Sequence, residues 1–184
     1  MPEEITETNR KAKNFFIALA EGERELEAAR AALCRSYTFV PADAFSRINR
    51  DDSAGIDVVE ILNFLKDNNM TDIEGSEIAH LVRYYDTLEK ERNEVLTIDE
   101  WNSIILPCED NQLREQVIAR EAKEWKDVGR LPADVEGQIC DILIKEVGLI
   151  RKLEALKKAL NTVGEKEKAF STTDLFASID GNKN

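Results

Sequence analysis

Phe15, Leu19, Leu26, Ala29 and Leu33 fall on a 4–3 spacing, the period that keeps apolar side chains on one stripe of an α-helix. The spacing predicts a long helix from about Glu4 to Arg35, with Gly22 as its only interruption. So narrow a stripe cannot bury itself and needs a partner. Ile139, Ile142, Leu149, Leu153, Leu156 and Leu160 repeat the pattern in a second long helix, expected from Pro132 at its first position to about Asn161. Two such helices commit much of the chain to an all-α fold.

The likeness of the two helices extends to their residues. Arg24 to Leu33, RELEAARAAL, aligns with Arg151 to Leu160, RKLEALKKAL, at 6 identities in 10. Further on, Phe45-Ser-Arg-Ile48-Asn49 aligns with Phe176-Ala-Ser-Ile179-Asp180. The repeating unit is a long helix leading into a helix-loop-helix pair, with a period of about 130 residues. Its second copy has only begun at Asn184, and the natural chain is expected to continue. The organisation read from the sequence is a long helix over 1–36, a paired unit over 37–108, a two-helix connector over 109–162 and the start of a second unit over 163–184.

Between the long helices the pattern becomes helix, loop, helix, twice over. Pro41 opens a short helix bearing Phe45 and Ile48; a loop follows, and then a helix with Ile61, Leu62, Phe64 and Leu65 on its buried side. Thr71 with Glu74 reads as a capping box for a helix bearing Ile78, Leu81, Val82 and Tyr85. After a polar loop from Asp86, Thr97 with Glu100 caps a helix containing Trp101, Ile104 and Ile105. Pro107 ends this pair, and Asp110 is expected to start a helix through about Lys126, with a turn from Gly129 to Pro132.

Charge narrows the partners. The net charge is −12, and the block from Asp51 to Asp110, with 16 acidic and 4 basic residues, supplies all of it. Such a block repels nucleic acid and anionic lipid and suits cations or a solvated face. No apolar run approaches the roughly 18 residues of a membrane span, and the start, MPEEITETNRKAKN, lacks the plan of a secretory signal. Cytosol, or a compartment continuous with it, is the expected location. Cys34, Cys108 and Cys140 are odd in number and far apart, which argues for buried reduced thiols over disulfides or a zinc site.

The first loop, Asn49 to Glu60, reads NRDDSAGIDVVE. A 12-residue loop can wrap calcium with oxygen ligands at positions 1, 3, 5, 7, 9 and 12 and Gly at 6. In that register the ligands are Asn49, Asp51, Ser53, the Gly55 carbonyl, Asp57 and Glu60, with Ile56 at position 8. This resembles an EF-hand, the helix-loop-helix unit of the calmodulin superfamily. Two departures weaken it as an ion site. Asn49 removes one negative charge, and Ala54 at position 6 is expected to be forced into positive φ at a cost of about 1 kcal/mol. In the second loop Asp86 lies 15 residues back from Glu100 by inclusive count, so three residues are inserted and no Gly marks the turn. Ile56 and Leu96 can still pair as the short strands that join two hands. A third loop has only its first half, Asp180, Asn182 and Asn184, at positions 1, 3 and 5.

The remaining candidates have plain readings. His80 is alone and fits a helix surface or core; Trp101 fits a core aromatic slot; Trp125 fits packing under the next helix, or an interface anchor. No G-x-x-x-x-G-K, no H-E-x-x-H and no paired carboxylates with a substrate logic occur, so an enzyme is not expected.

A second, narrower resemblance lies in ILPCEDNQLREQVIAR, Ile105 to Arg120, with the KLEALKKAL helix beyond it. These segments are similar to EF-hand repeat proteins of cilia and flagella, including microtubule inner proteins of axonemal doublets. That resemblance implies a non-enzymatic structural role in the axonemal cytoskeleton, with tubulin and neighbouring axonemal proteins as partners, and with calcium bound weakly or not at all. The alternative is a soluble calcium sensor or buffer that grips a target helix. A sensor groove is often Met-rich, whereas this chain has only Met1 and Met70. Long helices with unpaired stripes fit the structural reading better.

Overall fold

A computed structural model describes residues 7–87, 93–122 and 130–164. Seven helices form among the described residues, and the fold is all-α. They are α1 (Glu7–Arg35), α2 (Pro41–Ile48), α3 (Val58–Asp67), α4 (Gly75–Tyr85), α5 (Ile98–Ile105), α6 (Asn111–Ile118) and α7 (Ala133–Gly164). No helix among the described residues is long and apolar enough to cross a membrane. The chain divides into two compact units: Arg24–Gly148, and the N-terminal part of α1 to Glu23 together with α7 from Leu149.

In the larger unit, α2–α3 and α4–α5 are the two helix-loop-helix elements expected from the sequence. Pro41 stands at the start of α2, where its missing N–H costs nothing. Asp57 and Thr97 cap α3 and α5, each forming a reciprocal box with the glutamate three residues on, Glu60 and Glu100. The expected box at Thr71 is not the one formed. Helix α4 starts at Gly75, and Glu77 reaches back to the Glu74 N–H at 3.0 Å. Residues 68–74 are needed for the turn out of α3, which closes with Asn69 in the left-handed region (φ 61°) and the Met70 N–H on Leu65 O at 2.9 Å.

The two loops are joined by a single antiparallel bridge. Ile56 N–H donates to Leu96 O at 2.9 Å and Leu96 N–H donates to Ile56 O at 2.8 Å, as the sequence register predicts. Both side chains are fully buried, along with Phe64, Trp101, Leu81 and Ile104. The short helices are too short to persist alone, so this shared core is what holds them.

Helix α6 is shorter than its sequence suggests. It stops at Ile118 instead of running to Lys126, because Arg120 turns back to α1 and donates to the carbonyls of Cys34, Ser36 and Phe39 at 2.8, 2.7 and 2.6 Å. One guanidinium thereby serves three carbonyls at and just beyond the end of α1. Trp125 lies outside the described residues. Helix α7 begins one residue after Pro132, whose carbonyl accepts from Val135 and Glu136.

In the smaller unit α1 and α7 lie side by side. Lys11 Nζ donates to Ala159 O at 3.4 Å, and a Cβ at Gly22 would collide with the Leu149 side chain. The interruption in the first stripe is thus a close approach between helices, and the buried Ala12 and Ala18 continue it. The stripes are therefore not unpaired, contrary to the sequence expectation. Leu153, Leu156 and Leu160 of α7 are half-buried.

Candidate functional site

All six candidate ligands of the first loop lie between the end of α2 and the first turn of α3, but their polar groups are engaged with one another. Asn49 is buried; its Nδ2 donates to Ser53 O at 2.8 Å while its Oδ1 accepts the Ser53 N–H at 3.2 Å. Only an amide can give and accept in this way; an aspartate could not donate to Ser53 O. Asp51 Oδ1 accepts the same N–H at 2.9 Å, and hydrogen bonds from Ser53 hold the exposed Asp51 carboxyl below its ordinary pKa. Ser53 Oγ donates to the Gly55 carbonyl at 2.8 Å. Asp57 is engaged as the cap of α3, its Oδ1 accepting the Glu60 N–H at 2.8 Å.

Glu60 closes the loop. Its Oε1 accepts the Arg50 N–H at 2.7 Å and its Oε2 the Asp57 N–H at 3.0 Å. In the second loop Glu100 repeats the arrangement, taking the Thr87 N–H on Oε1 and the Thr97 N–H on Oε2, both at 2.9 Å. Each carboxylate ties the residue after the first loop position to the cap of the outgoing helix. Asp86, fully buried at the head of the second loop, accepts the Glu94 N–H on Oδ2 at 2.9 Å. Its Oδ1 has no hydrogen-bond partner among the described residues.

The strained residue in the first loop is not Ala54. Positive φ falls on Asp52 (54°) and, in the second loop, on Glu94 (62°). Asp tolerates this region better than most residues because its short polar side chain bonds locally. Gly55 serves another purpose. A Cβ there would stand 2.7 Å from Leu96 O and 3.0 Å from Leu96 C, so glycine is required for the bridge to close.

Calcium needs six to eight converging oxygens; no group of three or more His, Cys, Asp or Glu among the described residues is placed to hold a metal. Asp180, Asn182 and Asn184 lie outside the described residues. His80 is exposed on α4, Trp101 is fully buried, and of the three thiols Cys34 and Cys140 are buried while Cys108 is exposed, which corrects the expectation for the last.

Sequence reasoning missed the residues that tie the long helices to this site. Arg30 of α1 is buried, donating to Ile104 O at 2.8 Å and pairing with the buried Glu146 of α7. Tyr85 Oη, one residue before Asp86, donates to the same Glu146 Oε1 at 2.8 Å. Arg47, two residues before Asn49, donates to Glu136 of α7 at 2.8 Å and to Asp67 at 3.0 Å, with its guanidinium 5.4 Å from the Phe64 ring centre. One signal was visible. Glu146 occupies the 4–3 step between Ile142 and Leu149, a charge in an apolar register.

Compared with known proteins, the chain matches no family model, no curated sequence and no solved structure.

Proposed function

We propose that the chain is a non-enzymatic structural EF-hand protein whose loops keep their shape without calcium, acting in the axoneme of a cilium or flagellum and docking on tubulin in the doublet lumen. The observation that carries the ion-free part is the paired use of Glu60 and Glu100. Both twelfth-position carboxylates hold backbone N–H groups across their loops, which supports closure without a cation. The axonemal part rests on the resemblance of Ile105 to Arg120 and of the long-helix repeat. The acidic block would be repelled by the acidic outer wall of a microtubule, which favours an inner or inter-protein site.

The second reading, a calcium sensor or buffer, draws on one observation: the buried Asp86 Oδ1 has no hydrogen-bond partner among the described residues. Millimolar calcium added to the purified protein separates the two readings, since a ligand that binds the folded state raises Tm. The structural reading expects a change of under a degree or two, and a rise of several degrees sinks it. The luminal placement is tested on isolated axonemes: the protein should stay until the doublets are disrupted, and release by detergent alone refutes the placement.

A further inference from the structure

We infer that residues 135–147 of α7 are a built-in target helix for the helix-loop-helix pair, selected by the two acids Glu136 and Glu146. Helix pairs of this kind take an amphipathic helix through apolar anchors at helical spacing. Val135, Ile139, Ile142, Leu143 and Val147 form such a set, and all are buried in the larger unit. The acids stand ten residues apart, about 15 Å along the helix. Glu136 meets Arg47 in the last turn of α2 at 2.8 Å, and Glu146 meets Tyr85 at the end of α4 at 2.8 Å together with Arg30. A single helix is therefore bonded to the incoming helix of each loop. An unfilled seat would leave Arg30 and Arg47 without their buried carboxylates, which disfavours release of α7.

The same contacts define what the seat accepts. The internal repeat places Asn9 and Leu19 of α1 in register with Glu136 and Glu146. The N-terminal part of α1 has an apolar stripe of its own but neither acid, so it cannot replace α7. The partner that fits is a helix with the apolar 4–3 spacing and two carboxylates ten residues apart, and this chain supplies it in cis. A foreign helix is excluded whether or not the loops take an ion, so this inference and the ion-free reading fail in separate measurements.

The test uses the full chain and a fluorescent peptide of residues 133–150, followed by anisotropy. Wild-type protein is expected to leave 10 μM peptide unbound, with or without millimolar calcium, on the order of the exclusion a buried ion pair provides. The double variant Glu136→Gln/Glu146→Gln loosens its own helix and should bind the peptide at least tenfold more tightly than wild type does. It should bind a peptide carrying the same two glutamines at least tenfold more weakly. Capture of the peptide by wild type, or equal binding of both peptides by the variant, overturns the inference. If the variant fails to fold, hydrogen exchange on wild type decides. Amides 139–147 should exchange as slowly as those of α3 and α5, and exchange a hundredfold faster overturns the seat.

Discussion

The Arg50 N–H lies 2.7 Å from Glu60 Oε1, so the carboxylate at the twelfth loop position is engaged with the backbone of the second. Removing it should matter without any ion. Glu60→Ala leaves the Arg50 and Asp57 N–H groups to find other acceptors in a part-buried site, at a cost of about 1–3 kcal/mol. Urea unfolding in EDTA measures it. A residue kept only as a calcium ligand would give no change there.

Gly55→Ala should disrupt the bridge, because its Cβ would meet Leu96 O at 2.7 Å. Backbone has little room to yield, and a loss of about 1–3 kcal/mol is expected. Ala54→Gly, one position earlier, should change stability by no more than about 1 kcal/mol, since Ala54 is exposed and not at positive φ. Equal costs at the two positions would refute the close-approach account.

Asn49→Asp separates shape from ion binding. The variant loses the bond from Nδ2 to Ser53 O and adds a negative charge beside Asp51. In EDTA it should be less stable than wild type by about 1 kcal/mol, and calcium should recover more of that loss in the variant than it adds to wild type. The comparison needs only four melting curves. A variant as stable as wild type in EDTA argues against the amide clasp.

Thiol labelling should be graded by burial. Burial pushes the Cys34 thiol up to about 12 and Cys140 to about 11, so neither supplies thiolate near neutrality. A disulfide reagent at pH 8 should modify one thiol of three quickly, identified by mass as Cys108, which is exposed. The others should follow only on unfolding.

Asp67 links stability to pH. The hydrogen bond from Arg47 holds its carboxyl below the ordinary value, against the opposing effect of burial, and Arg50 adds to the lowering. A carboxyl with a lowered folded pKa stabilises above its unfolded pKa of about 3.9 and loses that contribution as pH falls through the folded value. With the side chain 33% exposed, solvent screening limits the effect to under about 1 kcal/mol. Asp67→Asn should flatten the acid side of the stability curve below about pH 4 and leave its slope above pH 5 unchanged.

Several helix positions were legible because each rests on a local signal: the 4–3 stripes, Pro41 at the start of α2, and the box at Thr97. The Ile56–Leu96 bridge followed from loop register. Non-local demands decided the rest. The end of α6 depends on carbonyls more than eighty residues earlier in the chain, to which Arg120 donates. Gly22 and Gly55 looked like interruptions or turn residues, whereas both mark places where another part of the chain comes too close for a Cβ. The candidate ligands were found by spacing alone, but spacing does not say whether an oxygen faces a cation or an N–H. That depended on Asn49 and Ser53 clasping each other.

The grip of Glu100 on the Thr87 N–H also explains why the second loop tolerates its extra length. The carboxylate fixes the two ends of the segment, leaving the number of residues between them almost free. Lengthening a closed segment from 12 to 15 residues raises its closure entropy by only about 0.2 kcal/mol. A loop fastened at its base can gain or lose residues over evolutionary time while the helices around it stay in place. A segment that wraps an ion has no such freedom, because each inserted residue displaces a ligand.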